Sequence, residues 1–458
     1  MIRCMGRAHS SFHPAVIVSF ATCLLASRGL WSQTPVPAPP PAPVAASAPA
    51  TPAAAPQLSR LSPLTETPPW PKLQELSKAL TAEQFDSAFE EVYTDSRHFP
   101  PPWQRDQGGI TVPTGAADGS KVRIDFRLPA DKPADPPHYW HRVTELPPLA
   151  GRPVLSDLRI ALDPGHIGGA YAQMEERYLS FHPNEHVAEG EISLKVAQLL
   201  KPRLEALGAH VLMVRDGTDP VTTSRPADLR PVAEAVLREH GIIQPKDGYA
   251  GVSGDEKVLT LQWQAEKMFY RESEIRARGK KVNDQLKPDL VLCLHFNAAS
   301  WGNPEQPQYS PENHLHVMVN GCYAADELQL QDIRFEMLQR LFLRMHEEEL
   351  PLAGQVATAM AESTGLPPYV YATPNARLAG PSTYVYARNL LANRIYQCPV
   401  VYLEPYVMNN EDTYQRLLMG DYIGSTLFKG CLRTSIFEDY VQGVVNGLTN
   451  YYRLKRAS

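Results

Sequence analysis

From Leu158 onward, short apolar runs alternate with segments of helical spacing. Arg159 to Asp163, Ala209 to Arg215, Leu290 to Leu294, His314 to Val319 and Val400 to Leu403 read as strands, several of them continuous apolar runs of the kind buried on both sheet faces. Between them, Glu191 to Leu207 is amphipathic and stops at Gly208, Glu272 to Asp284 is a charged helix, and Leu328 to Glu349 and Gly354 to Thr364 carry helical spacing. This alternation predicts an α/β fold, with a mixed, mostly parallel sheet flanked by helices.

Ahead of that domain the pattern changes twice. Trp70 to Tyr93 places Leu73, Leu76, Leu80, Phe85 and Phe89 at helical spacing, and Lys121 to Leu128 alternates through Val122, Ile124, Phe126 and Leu128 as a strand does. Before it, Thr34 to Pro56 is almost entirely Pro, Ala, Val and Ser, which favours extended chain and cannot bury a core. The first residues carry Arg3 and Arg7 and then an apolar run from Ala15 to Ala26, short for a membrane span, which reads as a secretory signal. The rivals are an uncleaved anchor and lipid attachment at Cys23, although Phe-Ala-Thr before that cysteine makes a poor lipobox. The expected organisation is therefore a signal peptide over 1–33, a Pro/Ala-rich linker over 34–68, a small N-terminal region over 69–152 and the main domain over 153–455.

Bulk properties narrow the function. A chain of 458 residues exceeds what one core usually holds, consistent with an appended region. The net charge of -6 gives no basic footprint, which argues against nucleic acid as a partner. Six cysteines stand singly without a Cys-x-x-Cys pair, so neither a thiolate zinc site nor a redox pair is expected. The four cysteines beyond the leader could form disulfides in an oxidising compartment, but Cys293, inside an apolar strand, reads as a small buried hydrophobe, and no particular bridge is assigned.

Three polar residues fall at or just beyond the carboxyl ends of expected strands: His166 after Asp-Pro-Gly, His295 after Val-Leu-Cys-Leu, and Glu404 after Val-Val-Tyr-Leu. That edge is where open α/β sheets bind ligands. Glu189 opens the helix after the His166 loop and can point back to the same edge. Two imidazoles and a carboxylate leave a fourth zinc position free for water, as catalytic sites do. Burying Glu404 unpaired would be costly, so a place beside a cation is more economical. Asp163 reads either as a turn former or as a partner orienting His166, Asn297 either as a donor to substrate or as a loop fastener, and Arg394 either as a carboxylate binder or as surface cover.

Over Leu158 to Tyr452 the chain resembles the zinc-dependent N-acetylmuramoyl-L-alanine amidases of the amidase-3 family. The matching pieces are Ile160-Ala-Leu-Asp-Pro-Gly-His-Ile-Gly-Gly169, Glu189-Gly-Glu-Ile-Ser-Leu-Lys-Val-Ala197, Gly208-Ala-His-Val-Leu-Met-Val-Arg-Asp216, Leu294-His-Phe-Asn-Ala298 and Val401-Tyr-Leu-Glu-Pro-Tyr-Val-Met-Asn-Asn410. The resemblance implies a phosphorylase/hydrolase-like sheet, one zinc ion held by His166, Glu189 and His295, and Glu404 as catalytic carboxylate. It also implies cleavage between the N-acetylmuramic acid lactyl group and L-alanine, peptidoglycan as substrate, cell-division or cell-wall regulators as partners, and export to the periplasm or cell envelope. Glu189 is preferred to Glu191 because it stands five residues before Leu194, where the family's helix places its metal carboxylate. The intervening loop is longer than the family's, and its Glu175, Glu176, His182, Glu185 and His186 could each in principle bind a metal but read rather as exposed polar residues. Leu-His-Phe-Asn stands for the family's more common Ser-Ile-His-Ala-Asn, and the stretches Gly217 to Gln262 and Ser300 to Leu352 are extra, placed to narrow, lid or redirect a site. Two rivals stand beside this reading. A zinc peptidase acting on another amide, such as a carboxypeptidase, would carry His-x-x-Glu, whereas Ile-Gly-Gly follows His166; a non-catalytic or autoinhibited cell-wall binding protein would have less reason to keep all four polar residues.

Overall fold

The computed structural model describes residues 58–95, 99–250, 254–300, 302 and 306–457. The expected signal segment and the linker up to residue 57 lie outside the described residues. Among the described residues, no helix is long and apolar enough to cross a membrane.

The N-terminal region forms an antiparallel sheet of β1 (Gln104–Asp106), β2 (Gly109–Pro113) and β3 (Lys121–Asp125), with one face supplying Ile110, Val112, Val122 and Ile124 to the core. The helical run expected over Trp70 to Tyr93 is broken into a 3-10 segment, Trp70–Leu76, and a helix, Ala82–Ala88, that continues into a π-type turn. The break falls where Thr81 starts a new helix by accepting from the Gln84 N–H while the Gln84 side chain returns to the Thr81 N–H. Phe85 then packs at a tilt against Phe126 at 5.2 Å and Phe342 at 5.5 Å, so this region shares one core with the α/β domain.

Further along the chain come β4 (Arg159–Pro164), the hairpin β5 (Tyr178–His182) and β6 (Glu185–Ala188), β7 (His210–Met213), β8 (Leu290–Leu294), β9 (Leu315–Val319), β10 (Arg377–Leu378), β11 (Val385–Ala387), β12 (Val400–Pro405) and the hairpin β13 (Thr426–Phe428) and β14 (Cys431–Arg433). Seven of them make the main sheet in the order β10-β11-β9-β12-β8-β4-β7. Neighbours run parallel at β7–β4, β4–β8, β8–β12 and β11–β9, and antiparallel at β12–β9 and β10–β11. The sheet is thus mixed and mostly parallel, and every residue of β8 is buried because helices cover both its faces.

Helices Glu189–Ala206, Met345–Thr364 and Ile436–Lys455 pack together along one side. On the other side a long helical rod runs through Leu261–Lys267, Met268–Ser273, Glu274–Lys280 and Lys281–Leu286. The helix expected from Leu328 to Glu349 is instead two, Gln331–Phe342 and Met345–Thr364, with Arg344 at φ 60° between them, and the second runs without interruption through Gly354. The bend lets the buried Arg340 and Glu349 pair across it, and the Glu349 carboxylate also takes the Val400 N–H at 2.8 Å at the start of β12. The shared core gives a stability test. Phe85→Ala should cost about 3–5 kcal/mol in urea unfolding of the whole protein, as one transition; loss of the N-terminal region alone as a separate early transition would contradict a common core.

Candidate metal centre

β4 ends at Pro164, and the chain turns through Gly165 into His166, whose φ of 56° is left-handed. A β-carbon at Gly165 would stand 2.2 Å from the His295 ring, so glycine is what lets the two histidines meet. Gly190 allows a similar approach, since a β-carbon there would lie 2.3 Å from the Gly168 nitrogen. The strained turn is held by two buried guanidinium groups: Arg278 donates to the carbonyls of Pro164 and His166, each at 2.7 Å, and Arg215 to those of Pro164 at 3.0 Å and Gly165 at 2.9 Å. Asp163, 2.9 Å from Arg278 and bonded to the Tyr396 hydroxyl, therefore acts on His166 through Arg278.

Glu189 is the first residue of its helix, where exposed backbone N–H groups favour a carboxylate. Its Oε2 lies 3.1 Å from His166 Nε2 and its Oε1 lies 3.0 Å from His295 Nδ1. The Phe296 N–H donates to Oε1 at 3.2 Å, and Arg177 Nε stands 3.1 Å from Oε2. The two imidazole rings are 5.3 Å apart and nearly perpendicular, and His295 stacks on Tyr402 at 4.3 Å. Among the described residues, His166, Glu189 and His295 each offer a ligand atom within 4.8 Å of the others.

Glu175 departs from its expected exposure. It is 1% exposed, accepts the N–H groups of Ile167 at 2.9 Å and Gly168 at 3.0 Å, and stands 3.5 Å from His166 Nδ1. Burial pushes its carboxyl up, but His166 and those backbone donors together hold it below the usual carboxylate value. A proton on Nδ1, facing Glu175, leaves the Nε2 lone pair aimed at the Glu189 carboxylate. Two electron-rich atoms then face each other, a conflict that a shared cation removes. Burial opposes a charge on His166, but Glu189 and Glu175 raise its pKa and the two histidines hold Glu189 down, so a proton on Nε2 fills the gap that a bound cation would take instead. The donor set fits a zinc ion with an open fourth position.

Glu404 lies on β12, directly across from His316 on β9. Tyr402, two residues earlier, points to the same face, and His295 stacks on it, so Glu404 flanks the histidine pair. His316 Nε2 contacts Glu404 Oε2. Burial raises the Glu404 carboxyl, yet His316 and then His295 hold it below its ordinary value.

The remaining candidates lie elsewhere. Glu191 is on the exposed side of the helix, taking the Gly169 N–H at 3.2 Å. Glu176 pairs with Lys257 and receives Trp263 Nε1 at 3.1 Å, while His182, Glu185 and His186 are exposed as expected. Asn297 accepts the Ala298 N–H at 2.7 Å, which fastens the loop, and Arg394 is buried against Glu336 at 2.6 Å, an internal ion pair rather than surface cover. A second acidic cluster, Asp135, His138 and Glu145, surrounds Arg142, which lies 2.8 Å from Asp135 and 3.3 Å from Glu145 and supplies the positive charge. Cys293, Cys322 and Cys398 are buried free thiols. Sequence reasoning missed Glu175, Arg278 and His316. Only His316 left a signal, since His314 and His316 put two imidazoles on one face of an apolar strand.

Fold and site together describe an α/β protein with a two-histidine, one-carboxylate centre at the carboxyl edge of its sheet. No family model and no curated protein matches the chain. Among solved structures it is similar to the N-acetylmuramyl-L-alanine amidase Ami1 from Mycobacterium abscessus, at 16% identity over 65% of this chain and 99% of that one, with a TM-score of 0.33. It is also similar to the catalytic domain of CwlV from Bacillus (Paenibacillus) polymyxa, at 14% identity over 64% and 97%, TM-score 0.32. A third is the CwlD amidase of Clostridioides difficile in complex with the GerS lipoprotein, at 12% over 65% and 100%, TM-score 0.34.

Two substitutions probe the centre by metal content. Glu189→Gln should abolish stoichiometric zinc while Glu191→Gln retains it, and equal loss in both would remove Glu189 from the ligand set. Glu175→Gln should weaken zinc about 10- to 100-fold in competition with a chelator, with the circular dichroism spectrum unchanged.

Proposed function

We propose that this chain is an exported, zinc-dependent N-acetylmuramoyl-L-alanine amidase, which hydrolyses the amide between the lactyl group of N-acetylmuramic acid and L-alanine in peptidoglycan. The observation that carries the reading is the convergence of His166, Glu189 and His295 on one point, with Glu404 beside them on the neighbouring strand. The amidase-3 motifs of the sequence supply the substrate. His166, Glu189 and His295 would hold one zinc ion, which when bound acidifies water and polarises a carbonyl. Glu404, ionised and facing the histidine pair, takes the proton of the attacking water and returns it to the leaving amine of L-alanine. Glu175 and Arg278 keep His166 in the orientation that leaves Nε2 free for the ion. The free cysteines Cys293, Cys322 and Cys398 are buried in the core, so a thiolate nucleophile is not invoked. Cell-wall regulators are the partners this activity would need, and the apolar leader of the sequence fits a periplasmic or cell-envelope location.

The test compares the mature protein with Glu404→Ala. The parent should carry one zinc and release free stem peptide from purified peptidoglycan, and the variant should keep its zinc while turnover falls about 10²- to 10⁴-fold. Zinc without peptide release by the parent would redirect the proposal to another amide, and a protein that binds no zinc would end it.

A further inference from the structure

Glu404 meets a partner that the reaction as written does not use. His316 is 2% exposed, sits opposite Glu404 in the β9–β12 register, and directs Nε2 at Glu404 Oε2. Its other nitrogen, Nδ1, is buried with no hydrogen-bond partner among the described residues. An imidazolium would bury an unsatisfied Nδ1–H, which is costly, whereas the neutral ring with its proton on Nε2 leaves only a lone pair unmatched. The ring is further confined by Tyr371, stacked at 5.5 Å, and by Tyr369, edge-on at 5.0 Å. Tyr371 is itself fastened by Arg388, which donates to its hydroxyl at 3.2 Å.

We infer that His316 is the positioning residue for Glu404: a neutral, rotationally locked Nε2–H donor that occupies Oε2 and leaves Oε1 as the single oxygen available to the attacking water. This rests on the reading of Glu404 as general base and adds what fixes its geometry. A carboxylate on a strand end has two equivalent oxygens and a freely turning terminal torsion. A donor committed to one oxygen removes that freedom, and because the donor is neutral it does not compete for the proton that Glu404 accepts. His316 touches neither zinc ligand nor substrate in this arrangement, so its effect should pass entirely through Glu404.

Three substitutions of His316 in the full-length protein, assayed on a soluble muropeptide, test this. Glutamine places an N–H where Nε2 stood, asparagine places it near the Nδ1 position, and leucine removes it. His316→Leu and His316→Asn should lower kcat about 10- to 100-fold with KM and zinc content unchanged, and His316→Gln should recover to within about tenfold of the parent. Combined with Glu404→Ala, His316→Leu should cost nothing more. Equal kcat for the Gln and Asn variants, a loss confined to KM or zinc, or a full additional loss on the Glu404→Ala background would each overturn the inference. If leucine prevents folding, the Gln and Asn pair still decides it. A fully active Glu404→Ala would remove the general base and this role with it, whereas an inactive Glu404→Ala beside a fully active His316→Leu would remove the positioning role alone.

Discussion

The centre depends on the grip of Arg278 on the turn after β4. Its guanidinium, 4% exposed, binds Glu274 at 2.7 Å and Asp163 at 2.9 Å while donating to the carbonyls of Pro164 and His166. Without those donors the His166 carbonyl would lose its partner and that of Pro164 would keep only Arg215, and His166 would have little reason to stay at a positive φ. A buried ion network of this type adds little net stability, because desolvation offsets most of the attraction. What it supplies is direction: it aims one imidazole at Glu189 and makes the spacing to His295 a property of the fold.

From that turn the site is assembled out of elements far apart in sequence. The sheet register carries Pro164 beside Leu294 and Cys293 beside Tyr402, so the residues that follow β4 and β8 and those near the end of β12 arrive at one edge. The helix start at Glu189 then closes the group from above the sheet. The arrangement needs no flexible arm, and each side chain is oriented by a neighbour: His166 by Glu175, His295 by the stacked Tyr402 ring, Glu404 by His316.

The sequence made much of this legible, for a reason. Strands such as Leu290–Leu294 are buried on both faces, so their apolar runs are uninterrupted, and the polar residue that ends each run stands out. Helix boundaries were less legible. Arg340 and Glu349 look like surface charges in a long amphipathic stretch, and only their pairing across the bend at Arg344 shows that there are two helices. Glu175 was hidden for the same cause. A carboxylate in a long loop has no periodicity to reveal that it turns inward, and its burial is decided by the N–H groups of Ile167 and Gly168, which sequence cannot place. The short hairpins β5–β6 and β13–β14 and the final helix, Ile436–Lys455, also went unread, the helix because its buried face is built partly from glycine and tyrosine.

The helical segments after Gly217 pack onto the loop that follows His166. Leu229, Met268, Phe269 and Tyr270, with Val232 beside them, form a separate apolar cluster around Ile167, the residue that follows His166. Lys257 and Trp263 from the same stretch hold Glu176. These segments thus pack against the flank of the His166 loop. A long loop would by itself lose more entropy on ordering and hold His166 less firmly. The cluster around Ile167 offsets that cost by fixing the loop directly after His166.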